Sequence, residues 1–147
     1  MNDRYDDDIL QWTERQAALL RRRAAGELAN DADLDWLNLA EEIESVGASQ
    51  KREVRSRLMR IIQHLLKWHY QRRRRSPSWK ATLYVQRRDL LVLFEDSPSL
   101  RPFAESVLSS AFANGRQAAE LETGLLEITD VCPWTLEQIV SNDFLPD

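Results

Sequence analysis

Between Gly47 and Pro77, and again between Pro102 and Gly115, the chain contains neither glycine nor proline. A mid-helix proline costs about 3 kcal/mol and a glycine about 1, so uninterrupted stretches of this kind are what helices require. The few glycines and prolines that do occur fall where helices are expected to start or stop. No segment shows sustained period-two alternation. The expectation is an all-α fold.

Apolar residues recurring at helical spacing, with end signals, divide the chain further. A first helix is expected from about Asp6 to Ala25, with Asp6–Asp8 at its positive end, Arg21–Arg23 at its negative end, and Gln16 inside an apolar face of Ile9, Trp12, Leu19 and Leu20. A second begins near Asp33 or Asp35. Its stripe runs Trp36, Leu39, Ala40, Ile43, Gly47, Val54, Leu58, Ile61, Leu65 and Trp68. Because the stripe crosses Gly47, one helix to about Gln71 and two helices hinged near Gly47–Ser49 both fit, and the glycine favours two coaxial or mildly kinked pieces. Arg72–Arg75 reads as a connector. Ser76-Pro77 is a serine cap with proline at the first helical position, opening a helix that carries Trp79, Leu83, Leu90, Leu93 and Phe94. Ser97-Pro98-Ser99-Leu100 repeats that signal for a helix to about Leu126, through Phe103, Val107, Ala111, Ala118, Leu121 and Leu125. Pro133 opens a short helix from Trp134 to Val140. The economical arrangement is an antiparallel helical bundle of four to five main helices with a short C-terminal helix, a single domain over residues 1–147.

With 147 residues the chain is long enough to bury about 70% of its unfolded surface in one domain. Its 43% hydrophobic and 30% charged content is too apolar for a disordered chain. Cys132 stands alone, so an internal disulfide or a multi-cysteine zinc site is excluded. The acidic start, Met1 to Asp8, is unlike a signal peptide, and no apolar run approaches the roughly 20 residues of a membrane span. A cytoplasmic protein with no membrane association is expected.

Charge is segregated along the chain. Residues 1–50 carry net −7, residues 51–88 net +12 and residues 89–147 net −9. Nucleic-acid contact by the basic middle is one reading. Pairing of these charges with acidic neighbours across the bundle is favoured over it, since the overall charge is only −4 and the isoelectric point near 5.3. Arg72, Arg73, Arg74 and Arg75 are the exception, because four successive arginines in a connector cannot all find partners. They are candidates for binding an anion or a partner.

Polar residues also interrupt the apolar stripes. Glu41 and Glu44 lie one turn apart, His64 lies between Ile61 and Trp68, and Glu122 follows Leu121. Converging in a bundle, this set would suit a divalent metal or acid–base chemistry. The paired Glu-x-x-His motifs of di-iron bundles are absent, as are a His-Glu-x-x-His and a glycine-rich phosphate loop. A register-setting hydrogen-bond network is the more common role for such residues, and Gln86, Arg87 and Asn114 are its further candidates. Of the five tryptophans (12, 36, 68, 79 and 134), most read as core, and no motif supports a cofactor-stacking role. Cys132, before Pro133-Trp134, reads as an inert or weakly capping thiol.

Several motifs together resemble the bacterial family catalogued as domain of unknown function 29. They are Tyr5-Asp6 with Trp12 and Gln16, Leu39-Ala40-Glu41-Glu42-Ile43-Glu44 with Gly47, and His64-Leu65-Leu66-Lys67-Trp68 with Tyr70-Gln71. Arg75-Ser76, Ser78-Trp79, Gln86-Arg87, Ser97-Pro98-Ser99-Leu100, Glu122-Thr123-Gly124-Leu125 and Cys132-Pro133-Trp134 continue the series in order. Arg72 in place of proline and His69 in place of glutamine depart from the family pattern at the basic connector. The resemblance implies a helical bundle, supplies no activity, and places Glu41, Glu42, Glu44, His64, Trp79, Gln86, Arg87 and Glu122 in the family pattern. The leading expectation is a small intracellular binding or regulatory module with a protein or anionic partner or a second copy of itself. The rival is a metal-dependent or acid–base enzyme built on Glu44, His64 and Glu122.

Overall fold

Four of the five α-helices of the described residues begin where a short polar side chain meets the free N–H groups of the first turn; the one that follows Ser99 does not. A computed structural model describes residues 5–28 and 30–147, and the first four residues of the acidic start, Met1–Arg4, lie outside them. Asp8 accepts from the Gln11 N–H at 3.0 Å and opens α1, Ile9–Ala24. Asp35 accepts from the Asn38 N–H at the start of α2, Trp36–Tyr70. Ser76 accepts from the Trp79 N–H ahead of α3, Pro77–Asp96, with Pro77 in its first turn. The fourth helix, α4, runs Leu100–Thr123 and stops at Gly124, whose φ of 74° is the left-handed conformation that favours glycine. Thr135 and Gln138 form a reciprocal capping box on α5, Leu136–Val140. Short 3₁₀ turns occupy Asp31–Asp33 and Arg72–Arg74. The described residues are all-α, with no strand.

The expected break near Gly47 does not occur: α2 is continuous over 35 residues. Gly47 has no positive φ and no neighbour within 4 Å of where its Cβ would stand. It costs the helix only its propensity penalty, which the flanking turns absorb. The chain nonetheless divides into two compact units, one ending at Ala48 and one comprising Ser49–Asp147.

In the first unit α1 is tied to the start of α2. Trp12 Nε1–H donates to Asp35 at 3.1 Å, and the buried Gln16 accepts from the Asp35 N–H at 2.9 Å while donating to the Asp33 carbonyl. Tyr5 donates to Glu42 at 2.7 Å, and that bond pushes the phenol's pKa up to about 12. Trp36 and Ile43, expected in the core, remain 55% and 72% exposed. The bonds from Tyr5 and from α1 engage Glu42 and Asp35, which lie off the Trp36–Ile43 stripe.

In the second unit the register is read from paired contacts. Gln50 meets Ser97, Arg57 meets Gln86 and Asp89, and Lys67 lies over Trp79, so α3 runs antiparallel to α2. Arg55 lies over Phe103, Gly115 touches Met59 and Ile62, and Lys67 meets Glu122, so α4 runs parallel to α2. The result is an up–down–up bundle, and α5 packs against α3 and α4. Its core joins Val54, Leu58, Ile61, Ile62, Leu65 and Leu66 of α2 to Leu83, Leu90 and Phe94 of α3 and to Ala104, Ala111, Phe112 and Ala119 of α4. The buried face of α4 is thus rotated from the expected stripe, and Leu121 is left 81% exposed. Gly115 marks where α4 comes closest to α2: a Cβ there would sit 2.9 Å from Met59 O and from the Ile62 side chain. Among the described residues no helix is long and apolar enough to cross a membrane.

Candidate functional site

Arg52, Ser56, Arg60 and Gln63 follow one another at three or four residues and so share one side of α2, with Arg55 beside them on the side toward α4. At about 1.5 Å per residue, Arg52 and Arg60 stand roughly 12 Å apart along the axis. Shallow hollows line this track. One of about 470 Å³ lies between Arg52, Arg57, Arg60 and Gln86, one of about 300 Å³ lies toward α4, and one of about 490 Å³ lies at Arg60, His64 and Glu122. At the end of α2 a further hollow, about 410 Å³, is lined by His69–Arg74.

The expectation that the basic middle neutralises itself against acidic neighbours is overturned for most of these residues. Of the thirteen basic residues between 51 and 88, three pair with carboxylates among the described residues: Arg57, Lys67 and Arg88. Arg52, Arg55, Arg60, Arg72, Arg73 and Arg74 are exposed and have no carboxylate within 4.0 Å among the described residues. The reason is register. Among the described residues Asp89 is the α3 carboxylate that reaches a cation of α2, facing Arg57 at 3.2 Å, and no carboxylate of α4 comes within 4.0 Å of Arg52, Arg55 or Arg60. Arg75 separates from its three predecessors. It donates to the Trp68 carbonyl at 2.9 Å, lies 4.8 Å from the Trp68 ring centre, and reaches the Pro146 carbonyl, so it ties the connector down.

The proposed metal set is not assembled. Glu41 and Glu44 are exposed on the first unit's part of α2, and among the described residues no three His, Cys, Asp or Glu side chains are grouped to hold a metal. His64 and Glu122 do share a hollow. His64 donates through Nδ1 to the Arg60 carbonyl at 2.9 Å, and burial holds its pKa below the usual histidine value. Glu122 is claimed by cations and donors: Lys67 Nζ at 2.8 Å and the Gln63 amide at 2.7 Å. The bond from Lys67 keeps its carboxyl below the ordinary range. Lys67 itself is buried, with its ammonium 4.6 Å from the Trp79 ring centre. This arrangement satisfies a buried cation.

Gln86, Arg87 and Asn114 do not form one network. Gln86 accepts from Arg57 at 3.1 Å. Arg87 is fully buried and donates to the carbonyls of Ile139 and Gln138 at 2.7 and 3.4 Å, so it closes the C-terminus of α5. Burial lowers its pKa to about 10. Asn114 stands in the 300 Å³ hollow between α2 and α4. Arg57 is a hub joining Glu53, Gln86 and Asp89 that no sequence motif marks beyond its i, i+4 spacing from Glu53. Cys132 precedes α5 instead of capping it. Its thiol donates to the Trp134 carbonyl at 3.3 Å, and burial raises its pKa.

Fold and surface together define a small all-α module with an arginine-bearing helix face and no assembled metal centre among the described residues. The chain belongs to the family described as domain of unknown function DUF29, whose pattern it matches over residues 4–145. No curated protein and no solved structure matches it.

Proposed function

We propose that this chain is a binding module whose receptor surface is the outer face of α2 with the Arg72–Arg74 turn, and whose partner is anionic. The observation that carries this reading is the set of six exposed arginines without carboxylate partners among the described residues. An unpaired, exposed guanidinium is free to make a bidentate, charge-assisted contact with an incoming oxyanion. The reading takes the cytoplasm as the module's compartment.

The test is binding of fluorescent poly-glutamate and of a single-stranded oligonucleotide, followed by anisotropy from about 50 to 200 mM salt. Binding of at least one probe at low salt is expected, weakening as salt rises and abolished when Arg52, Arg55, Arg60 and Arg72–Arg74 become glutamine. A wild-type chain that binds neither probe at the lowest salt overturns the proposal.

A further inference from the structure

The hollow between α2 and α4 differs chemically from its neighbours along the same helix. The flanking hollows each contain a carboxylate, Glu53 in one and Glu122 in the other. This one contains none: its walls are Arg52, Arg55, Ser56, Met59, Ser110, Ala111 and Asn114, around about 300 Å³. Its polar groups are therefore two guanidinium groups, two hydroxyls and one carboxamide. Ser110 already donates to the Val107 carbonyl, which leaves its oxygen to accept. Arg55 lies 5.1 Å from the Phe103 ring centre, which restrains its approach to the hollow.

The width of the hollow is set by packing. Gly115, next to Asn114, rests against the Met59 carbonyl and Ile62. That close approach brings Ser110 and Asn114 of α4 opposite Arg52, Arg55 and Ser56 of α2. Donors thus come from two helices around a floor of Met59 and Ala111.

We infer that this hollow is a binding site for a small phosphomonoester, with Arg52 and Arg55 holding the phosphate and Ser56 and Asn114 donating to its remaining oxygens. The inference rests on the anionic-partner reading and assigns one subsite of that surface its ligand class. A phosphomonoester dianion presents three free oxygens to match several convergent donors, whereas a carboxylate presents two and a phosphodiester carries a single charge. The apolar floor accommodates the ester's carbon portion. Nucleic acid is disfavoured by the chain's net charge of −4.

The experiment is an NMR titration of the full chain with inorganic phosphate, glycerol phosphate and a single-stranded oligonucleotide, reading the Asn114 side-chain amide and the arginine Nε–H signals. Phosphate and glycerol phosphate are expected to shift Asn114, Arg52 and Arg55 saturably, with Arg72–Arg74 unmoved. Asn114→Asp, which puts a like charge into the hollow on an exposed position and leaves the core untouched, is expected to weaken binding about tenfold or more. Asn114→Ser is expected to weaken it less. Absence of saturable shifts overturns the inference, as do shifts caused by the oligonucleotide alone or an Asn114→Asp variant that binds like wild type. If the oligonucleotide or poly-glutamate still binds through the arginines while Asn114 stays silent, the anionic-partner reading stands and this site falls. If no anion binds at all, both fall.

Discussion

Arg87 shows how little of a residue's role is written in its type. Its place beside Gln86 marked it as a polar interruption, but nothing local indicates that an arginine is 2% exposed or that its partners are main-chain carbonyls near residue 139. A buried cation without a carboxylate is stabilised here by the carbonyl end of a helix, where partial negative charge collects. Arg87→Ala leaves those carbonyls without their donor and opens a cavity, so a loss of about 3 kcal/mol is expected. Arg87→Lys is expected to recover only part of it, because an ammonium cannot reproduce the planar fork. Urea denaturation of the two variants checks both; a neutral Arg87→Ala would show that α5 docks without this clamp. Gln16 is the contrasting case. Its position within an apolar face was legible as a buried peg, and it pins the Asp33 and Asp35 backbone.

At the scale of the helices, starts and stops were legible because caps act over three or four residues. Asp8, Ser76-Pro77, Gly26 and Gly124 all stand at the ends that their chemistry dictates. The two helical glycines were not distinguishable by the same means. Gly47 faces open space, whereas a Cβ on Gly115 collides with backbone. Gly47→Ala is therefore expected to stabilise by up to about 1 kcal/mol through helix propensity. Gly115→Ala is expected to destabilise by about 1–3 kcal/mol despite the same propensity gain, because α4 must move off α2. Thermal melts of the two variants should shift in opposite directions, and a stabilised Gly115→Ala would contradict the close α2–α4 packing.

Across the whole molecule, one continuous helix carries two compact units. The single domain expected over residues 1–147 is retained as a proposal on that ground, since breaking α2 between the units costs helical hydrogen bonds in both. Unfolding is then expected as one transition, with tryptophan fluorescence and helical circular dichroism coinciding. Two resolved transitions would divide the chain at Ala48. The same scale decides where the arginines go. Composition showed that charge is segregated, and period and caps by themselves determined an all-α chain with its helices in the right order. Only the tertiary structure decided that Trp36 and Ile43 stay open, that Glu44 and His64 belong to no common metal cluster among the described residues, and that Arg52, Arg55 and Arg60 meet no carboxylate there. The physical reason is range. Helix formation is governed by neighbours within a turn or two, whereas the covering of a face and the pairing of a charge depend on which distant residue the register brings opposite.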